Sequence, residues 1–210
     1  MNTENLVRAL VADAARPVIG IRTHLLAALG IGTAISLLLF RLLFEPRADL
    51  AHAIQGHAFA TKLGVVALLA VTAIGLLAPA ARPLPVRALP RLGVAPVVLA
   101  IAVLAELMTA PVHSWPGRVF GADVVHCLVS IPLLALPTAL CLFMALRRGA
   151  PANAALAGTI AGLAAGGIGA SLYALACPQD SSLFVALWYS LAIGALAKLG
   201  SVAGRRWLRW

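Results

Sequence analysis

Six runs of about twenty mostly apolar residues, joined by short connections, constrain this chain more than any other feature. They lie at approximately His24–Phe44, Ala58–Ala78, Leu92–Ala110, Cys127–Leu146, Ala155–Ala176 and Leu183–Val202. A helix needs about 20 such residues to cross a bilayer. Inside lipid it satisfies its backbone polar groups within itself. The connections hold the turn formers and many of the charges, as in Glu45-Pro46-Arg47 and Arg147-Arg148-Gly149-Ala150-Pro151. The expected fold is therefore all-α, a polytopic membrane protein with six transmembrane helices. Composition agrees: 62% of the 210 residues are hydrophobic and only 11% are charged, against about 25% charged in soluble domains. That balance excludes a disordered chain, a collagen-like chain and an ordinary soluble globule. A β-barrel would show short alternating segments and aromatic girdles, and neither is present. No internal repeat supports a transporter built from inverted halves.

The net charge of +9 would invite a nucleic-acid reading in a soluble protein. In a membrane protein, basic residues mark the cytoplasmic helix ends. With the N-terminus inside, Arg8, Arg16, Arg22, Arg82, Arg87, Arg91, Arg147, Arg148, Lys198, Arg205, Arg206 and Arg209 fall on the cytoplasmic side. Only Arg41, Arg47, Lys62 and Arg118 fall outside. Both termini are thus expected in the cytoplasm, with no direct contact to nucleic acid. The domain plan is an N-terminal segment over residues 1–22, a six-helix membrane domain over 23–204 and a basic tail over 205–210.

The first 22 residues open Met-Asn-Thr-Glu-Asn, with an acid where a signal peptide carries its basic region. They read instead as a short amphipathic helix. Asn2 or Thr3 caps it, and Glu4 sits in the first turn, where the helix dipole favours an anion. Leu6, Val7, Leu10, Val11 and Ala14 share one face, and Pro17 ends it. So short a helix is marginal alone in water. It lies on the bilayer, on the protein's own helices, or against a cytoplasmic partner.

Of the three cysteines, Cys127 opens the fourth span and Cys177 closes the fifth, both on the outer side. The two spans form an antiparallel hairpin turning near 149–153, so equal arms put both sulfurs at similar depth. An oxidising compartment outside would permit a disulfide; two unrelated small apolar residues are the alternative. Cys141 reads as packing. His52, His57, His113 and His126 also fall outside, so His113, His126, Cys127 and Cys177 are the candidate ligands for a soft metal. No CxxC or HxxxH spacing supports a dedicated site. Matched depth also suggests an intramembrane charge cluster of Arg41, Lys62 and Glu106 across the first three helices; snorkelling basic residues are the structural alternative. Gly158, Gly162 and Gly166 give the fifth span a face for close helix packing. Pro132 and Pro137 stand where they would kink the fourth span, and this fourth–fifth hairpin is the expected movable element.

The chain resembles the NrsF-type membrane anti-sigma factors, negative regulators of sigma F, over nearly its whole length. The resemblance rests on Leu6-Val7-Arg8-Ala9-Leu10-Val11-Ala12-Asp13 followed by Arg16-Pro17-Val18, and on Cys127 with Leu146-Arg147-Arg148-Gly149-Ala150-Pro151. It continues in Tyr173-Ala174-Leu175-Ala176-Cys177-Pro178-Gln179-Asp180, in Leu183-Phe184-Val185-Ala186-Leu187-Trp188-Tyr189 and in the closing Gly204-Arg205-Arg206-Trp207-Leu208-Arg209-Trp210. Ala176 departs from the pattern, standing where some relatives carry a histidine, which argues against a metal ligand there. The resemblance implies six membrane helices in a bacterial inner membrane, no enzymatic activity and no cofactor. It implies an extracytoplasmic-function sigma factor as partner and points to the N-terminal segment as part of the contact, where Leu6, Arg8, Leu10 and Asp13 are the candidate residues. It also implies that Cys127 and Cys177 sense oxidative or heavy-metal stress. Two rivals are a quinone-linked thiol oxidoreductase, which wants a CxxC pair, and a small transporter or channel, which wants polar groups at mid-depth and broken helices.

Overall fold

A computed structural model describes residues 3–4, 20–83, 86–121 and 124–208. It contains six helices long and apolar enough to cross a membrane: α1 Ile21–Leu43, α2 His57–Ala80, α3 Leu89–Thr109, α4 Val124–Leu146, α5 Ala154–Ala174 and α6 Ser182–Trp207. No strand occurs among the described residues. The first turn of α3, Leu89–Gly93, is wound as a 3-10 helix. Helix α6 carries a π-helical stretch at Val185–Tyr189. Short helical turns at Leu50–Ala53 and Trp115–Val119 fill two of the connections.

Helix α5 is the axis of the bundle. Lipid tails are as apolar as leucine, so membrane helices associate by close packing rather than by exclusion from water. The glycines of α5 permit that packing on several faces. A methyl group built on Gly158 or Gly162 would collide with the carbonyl oxygens of Gly200 and Leu196 in α6. One built on Gly167 would lie 2.9 Å from Ala70 Cα in α2, and one on Gly169 would lie 2.7 Å from the Ile131 carbonyl in α4. The expected close-packing face is therefore used within the chain. Asn153 caps α5, its side chain accepting from Leu156 N at 3.0 Å.

Helix α1 packs on α4, where Gly32 lies against Thr138 and the buried hydroxyls of Ser36 and Thr138 are 3.0 Å apart. In its most apolar window α5 is 61% buried, whereas α3 is only 6% buried. The α4–α5 hairpin, the expected movable element, is thus the more enclosed part of the bundle. Helix α4 runs unbroken through Pro132 and Pro137, and α5 is clamped on three sides. The loosely held helix is α3, where Ala95 alone is fully buried.

The loops segregate by end. One end, called here the thiol end, gathers the 44–56, 110–121 and 175–181 connections. At the basic end, Ala150 N donates to the Ala81 carbonyl at 3.1 Å and Ala152 N to the Arg82 carbonyl at 3.2 Å. Two boundaries differ from expectation. Ile21 and Arg22 belong to α1. Arg205 and Arg206 form the last turn of α6 rather than a separate tail, where the helix dipole favours cations.

Gly158→Ala and Gly162→Ala should each lower the unfolding midpoint in detergent, read by tryptophan fluorescence, because overpacking costs about 1–3 kcal/mol. Gly194→Ala, with nothing within 4 Å of the added carbon, should leave the midpoint unchanged or raise it.

Candidate functional site

The thiol end brings both singled-out cysteines into one apolar cluster. Cys127, in the first turn of α4, is 0% exposed, and Cys177, three residues past the end of α5, is 1% exposed. They share this cluster with Tyr173, Phe184 and Tyr189. Both thiols are electrostatic neighbours of the Tyr189 hydroxyl. Tyr189 itself stands at the end of the π-helical stretch of α6, and such stretches often occur at functional positions. The thiol of Cys177 points weakly at the Gln179 carbonyl, 3.9 Å away.

Above Cys177 the chain is strapped by charge. Lys62, on the second turn of α2, has a fully buried side chain. An ammonium carries three donors and no acceptor. That of Lys62 forms an ion pair with Asp180 Oδ1 at 2.6 Å and donates to the carbonyls of Cys177 at 2.8 Å and Gln179 at 3.1 Å. Asp180 is shared: Arg47 donates to its other oxygen at 2.7 Å. Arg47 also grips Asp49 through two hydrogen bonds of 2.6 and 2.8 Å. That pairing holds the Asp49 carboxyl below the usual carboxylate range. The backbone N–H of Arg47 donates to the Leu175 carbonyl at 3.1 Å. The ring of Phe59 lies within cation–π range of both cations, 5.8 Å from Arg47 and 5.5 Å from Lys62.

Glu106 works beside this strap without joining it. One carboxylate oxygen accepts from Arg118 at 2.8 Å and from the Ser181 hydroxyl at 2.7 Å. The other accepts the backbone N–H of Ser182 at 2.6 Å and of Leu183 at 3.4 Å. A carboxylate from α3 thus caps the start of α6 and satisfies donors that a helix end leaves open. Trp188 Nε1 adds a bond to the Val119 carbonyl at 2.7 Å. Between the two networks opens a cavity of about 690 Å³, whose lining includes His57, Thr61, Glu106, Arg118 and Asp180.

The expected Arg41–Lys62–Glu106 cluster is not what forms. Lys62 takes Asp180, Glu106 takes Arg118 and the α6 start, and Arg41 is exposed at the end of α1. A matched depth brings side chains to the same level, but the loop between α5 and α6 supplies nearer partners there. His113 and His126 are exposed, whereas Cys127 and Cys177 are buried. Among the described residues no group of three or more His, Cys, Asp or Glu converges as a metal site would. Leu6, Arg8, Leu10 and Asp13 lie outside the described residues. Reading the sequence alone missed Arg47, Asp180, Ser181, Ser182 and Tyr189. A signal was present for Asp180, the acid nearest in sequence to Cys177, in a connection that must return across an apolar bundle.

Six apolar helices around a glycine-lined axis, with a thiol pair buried at one end beneath ion pairs, define a compact polytopic membrane protein with a concentrated polar site. The chain belongs to the family described as negative regulator of sigma F, whose model matches residues 10–210. It is 37% identical to the "Anti-sigma-F factor NrsF" of Caulobacter vibrioides (strain NA1000 / CB15N) over 225 residues, covering 100% of both chains. It is 31% identical to the "Probable anti-sigma-F factor NrsF" of Azospira oryzae over 220 residues, again covering 100% of both. No solved structure matches.

The two acid networks should differ in weight. Lys62→Met leaves a carboxylate in a largely buried setting with one partner fewer, and should destabilise the protein by about 3–5 kcal/mol. Arg118, 42% exposed, sits on the solvated side of its pair, so Arg118→Ala should cost less than about 1 kcal/mol. Equilibrium unfolding in mixed micelles measures both.

Proposed function

We propose that this protein is an anti-sigma factor in a bacterial inner membrane, holding an extracytoplasmic-function sigma factor on its cytoplasmic face and releasing it under oxidative or heavy-metal stress. The anti-sigma role is supported by full-length similarity to two relatives named for it. The orientation follows the charge bias: the basic end faces the cytoplasm and the thiol end the periplasm. In this reading Leu6, Arg8, Leu10 and Asp13 contribute the sigma contact, and sequestration keeps the sigma factor from RNA polymerase.

The observation that carries the sensing half is the convergence of Cys127 and Cys177 in one cluster beside Tyr189. An oxidant or thiophilic metal acting on the pair would disturb the segment that leads from α5 into α6. That segment holds the carboxylate of α3 through Ser181 and Ser182. Helix α3 has few other anchors, and its far end begins at Leu89 on the basic side. The signal therefore runs from the thiols through Glu106 into α3, rather than through movement of the clamped α4–α5 hairpin.

Magnitudes limit the mechanism. Moving from 1% to 99% released requires about 5.5 kcal/mol of preference for the released state. A crosslink closing a loop of this length yields roughly 4 kcal/mol against a free-chain reference, and less for helices already confined to a membrane. Thiol modification thus produces a graded release unless it also breaks the polar contacts of the 175–182 segment.

Cys127→Ser with Cys177→Ser should abolish or strongly blunt induction of the sigma regulon by dichromate or cadmium, measured with a promoter reporter; full induction would reject the sensing role. Membrane co-purification of the sigma factor should succeed with the full-length chain and fail when residues 1–22 are removed. Equal recovery of the sigma factor would move the contact elsewhere on the cytoplasmic face.

A further inference from the structure

We propose that Lys62, Asp180 and Arg47 are positioning residues for Cys177: together they form a lock that keeps its thiol shielded and sets how fast it reacts. The inference rests on the sensing role above for its physiological meaning, but not for its chemistry. Cys177 lies in a connection, not in a helix, and Pro178 follows it. A proline has no N–H and disfavours helical geometry in the residue before it. Helix hydrogen bonding therefore cannot hold Cys177 to Asp180. The ties back to α5 are the bonds from Ala176 N and Cys177 N to the Tyr173 carbonyl, each 3.0 Å.

Beyond the apolar packing that Cys177 shares with Tyr173, Phe184 and Tyr189, the segment is held by charge from two distant parts of the chain. The ammonium of Lys62 is held by the Cys177 and Gln179 carbonyls and by the Asp180 carboxylate. With its three donors placed on the Asp180 carboxylate and on the carbonyls either side of Pro178, the buried ammonium ties this backbone to α2. Arg47 closes the same segment from the opposite side, gripping Asp180 through its guanidinium and the Leu175 carbonyl through its backbone. The strap thus spans residues 175–180, with Cys177 in the middle and 1% exposed. A thiol so placed reacts only when its cover opens, and the opening equilibrium scales the observed rate. Asp180 also borders the cavity lined by His57 and Arg118, so one side of the strap faces that space while Cys177 remains covered.

The test reads modification of the full-length protein in lipid nanodiscs by N-ethylmaleimide, resolved by mass spectrometry at each cysteine. Cys141, partly buried on α4, is the internal reference. Asp180→Asn and Lys62→Met should accelerate labelling at Cys177 by about tenfold or more, the size expected when local opening becomes easier, with Cys141 unmoved. Lys62→Arg, which keeps the positive charge at this position, should label more slowly at Cys177 than Lys62→Met. Arg118→Ala, which loosens only the Glu106 network, should leave Cys177 as in wild type. Where Lys62→Met fails to fold, Arg47→Gln reads the same quantity with Lys62 in place. Unchanged labelling at Cys177 in the strap variants overturns the lock, and so does an equal rise at Cys141, which marks general loosening. If strap variants speed labelling while Cys127→Ser with Cys177→Ser leaves induction intact, the lock stands and the sensing role falls. If labelling is unchanged while that double variant blunts induction, the sensing role stands and the lock falls.

Discussion

The backbone-to-backbone approach of α5 to its neighbours is the constraint on which the bundle depends. In lipid no difference in apolarity separates the inside of a bundle from its surroundings. Cohesion must come from atoms placed closer than larger side chains allow. Gly158 and Gly162 against Gly200 and Leu196, and Gly167 and Gly169 against Ala70 and Ile131, supply that closeness on three sides of one helix. With α5 fixed in this way, the ends of α2, α4 and α6 are fixed relative to it. The connection leaving α5 is then delivered to a defined place beside Lys62.

The polar site follows from that delivery. Asp180 lies between two cations contributed by the α1–α2 connection and by α2 itself, and Glu106 reaches the start of α6 from α3. Every ion pair among the described residues joins the thiol end. The basic end presents arginines without such partners in the same set of pairs. Among the described residues, then, one end is organised by internal charge pairing, whereas the arginines of the other take no part in those pairs.

Much of the architecture was legible in the sequence. All six helices overlap the apolar runs, and Gly158 and Gly162 pack as their spacing indicates. Cys127 and Cys177, which the equal arms around 149–153 put at similar depth, fall in one buried cluster. What sequence could not show was which apolar helix is enclosed and which faces lipid. Helices α3 and α4 have the same hydropathy of 2.2, yet 6% of one and 44% of the other is buried. Hydropathy measures the preference for leaving water, which lipid and protein satisfy equally. The partners of Lys62 and Glu106 were missed for a related reason. Depth was read from helix arithmetic, whereas the partners sit in a loop whose path is set by tertiary packing. The residues 6–13 of the proposed sigma contact fall outside the described part of the chain, so their role rests on the family resemblance.

The π-helical stretch at Val185–Tyr189 has a consequence for the rest of α6. Such a stretch holds one residue more than an α-helical turn, so the two halves of the helix are out of phase by one residue's rotation. Removing a single amino acid there would be absorbed by restoring regular winding, leaving Leu196, Gly200 and Gly204 facing α5. The same deletion inside α5 has no such reserve: it would swing every glycine downstream of the cut away from the helix it touches. Of these two neighbouring helices, then, one tolerates a change in length and the other tolerates none.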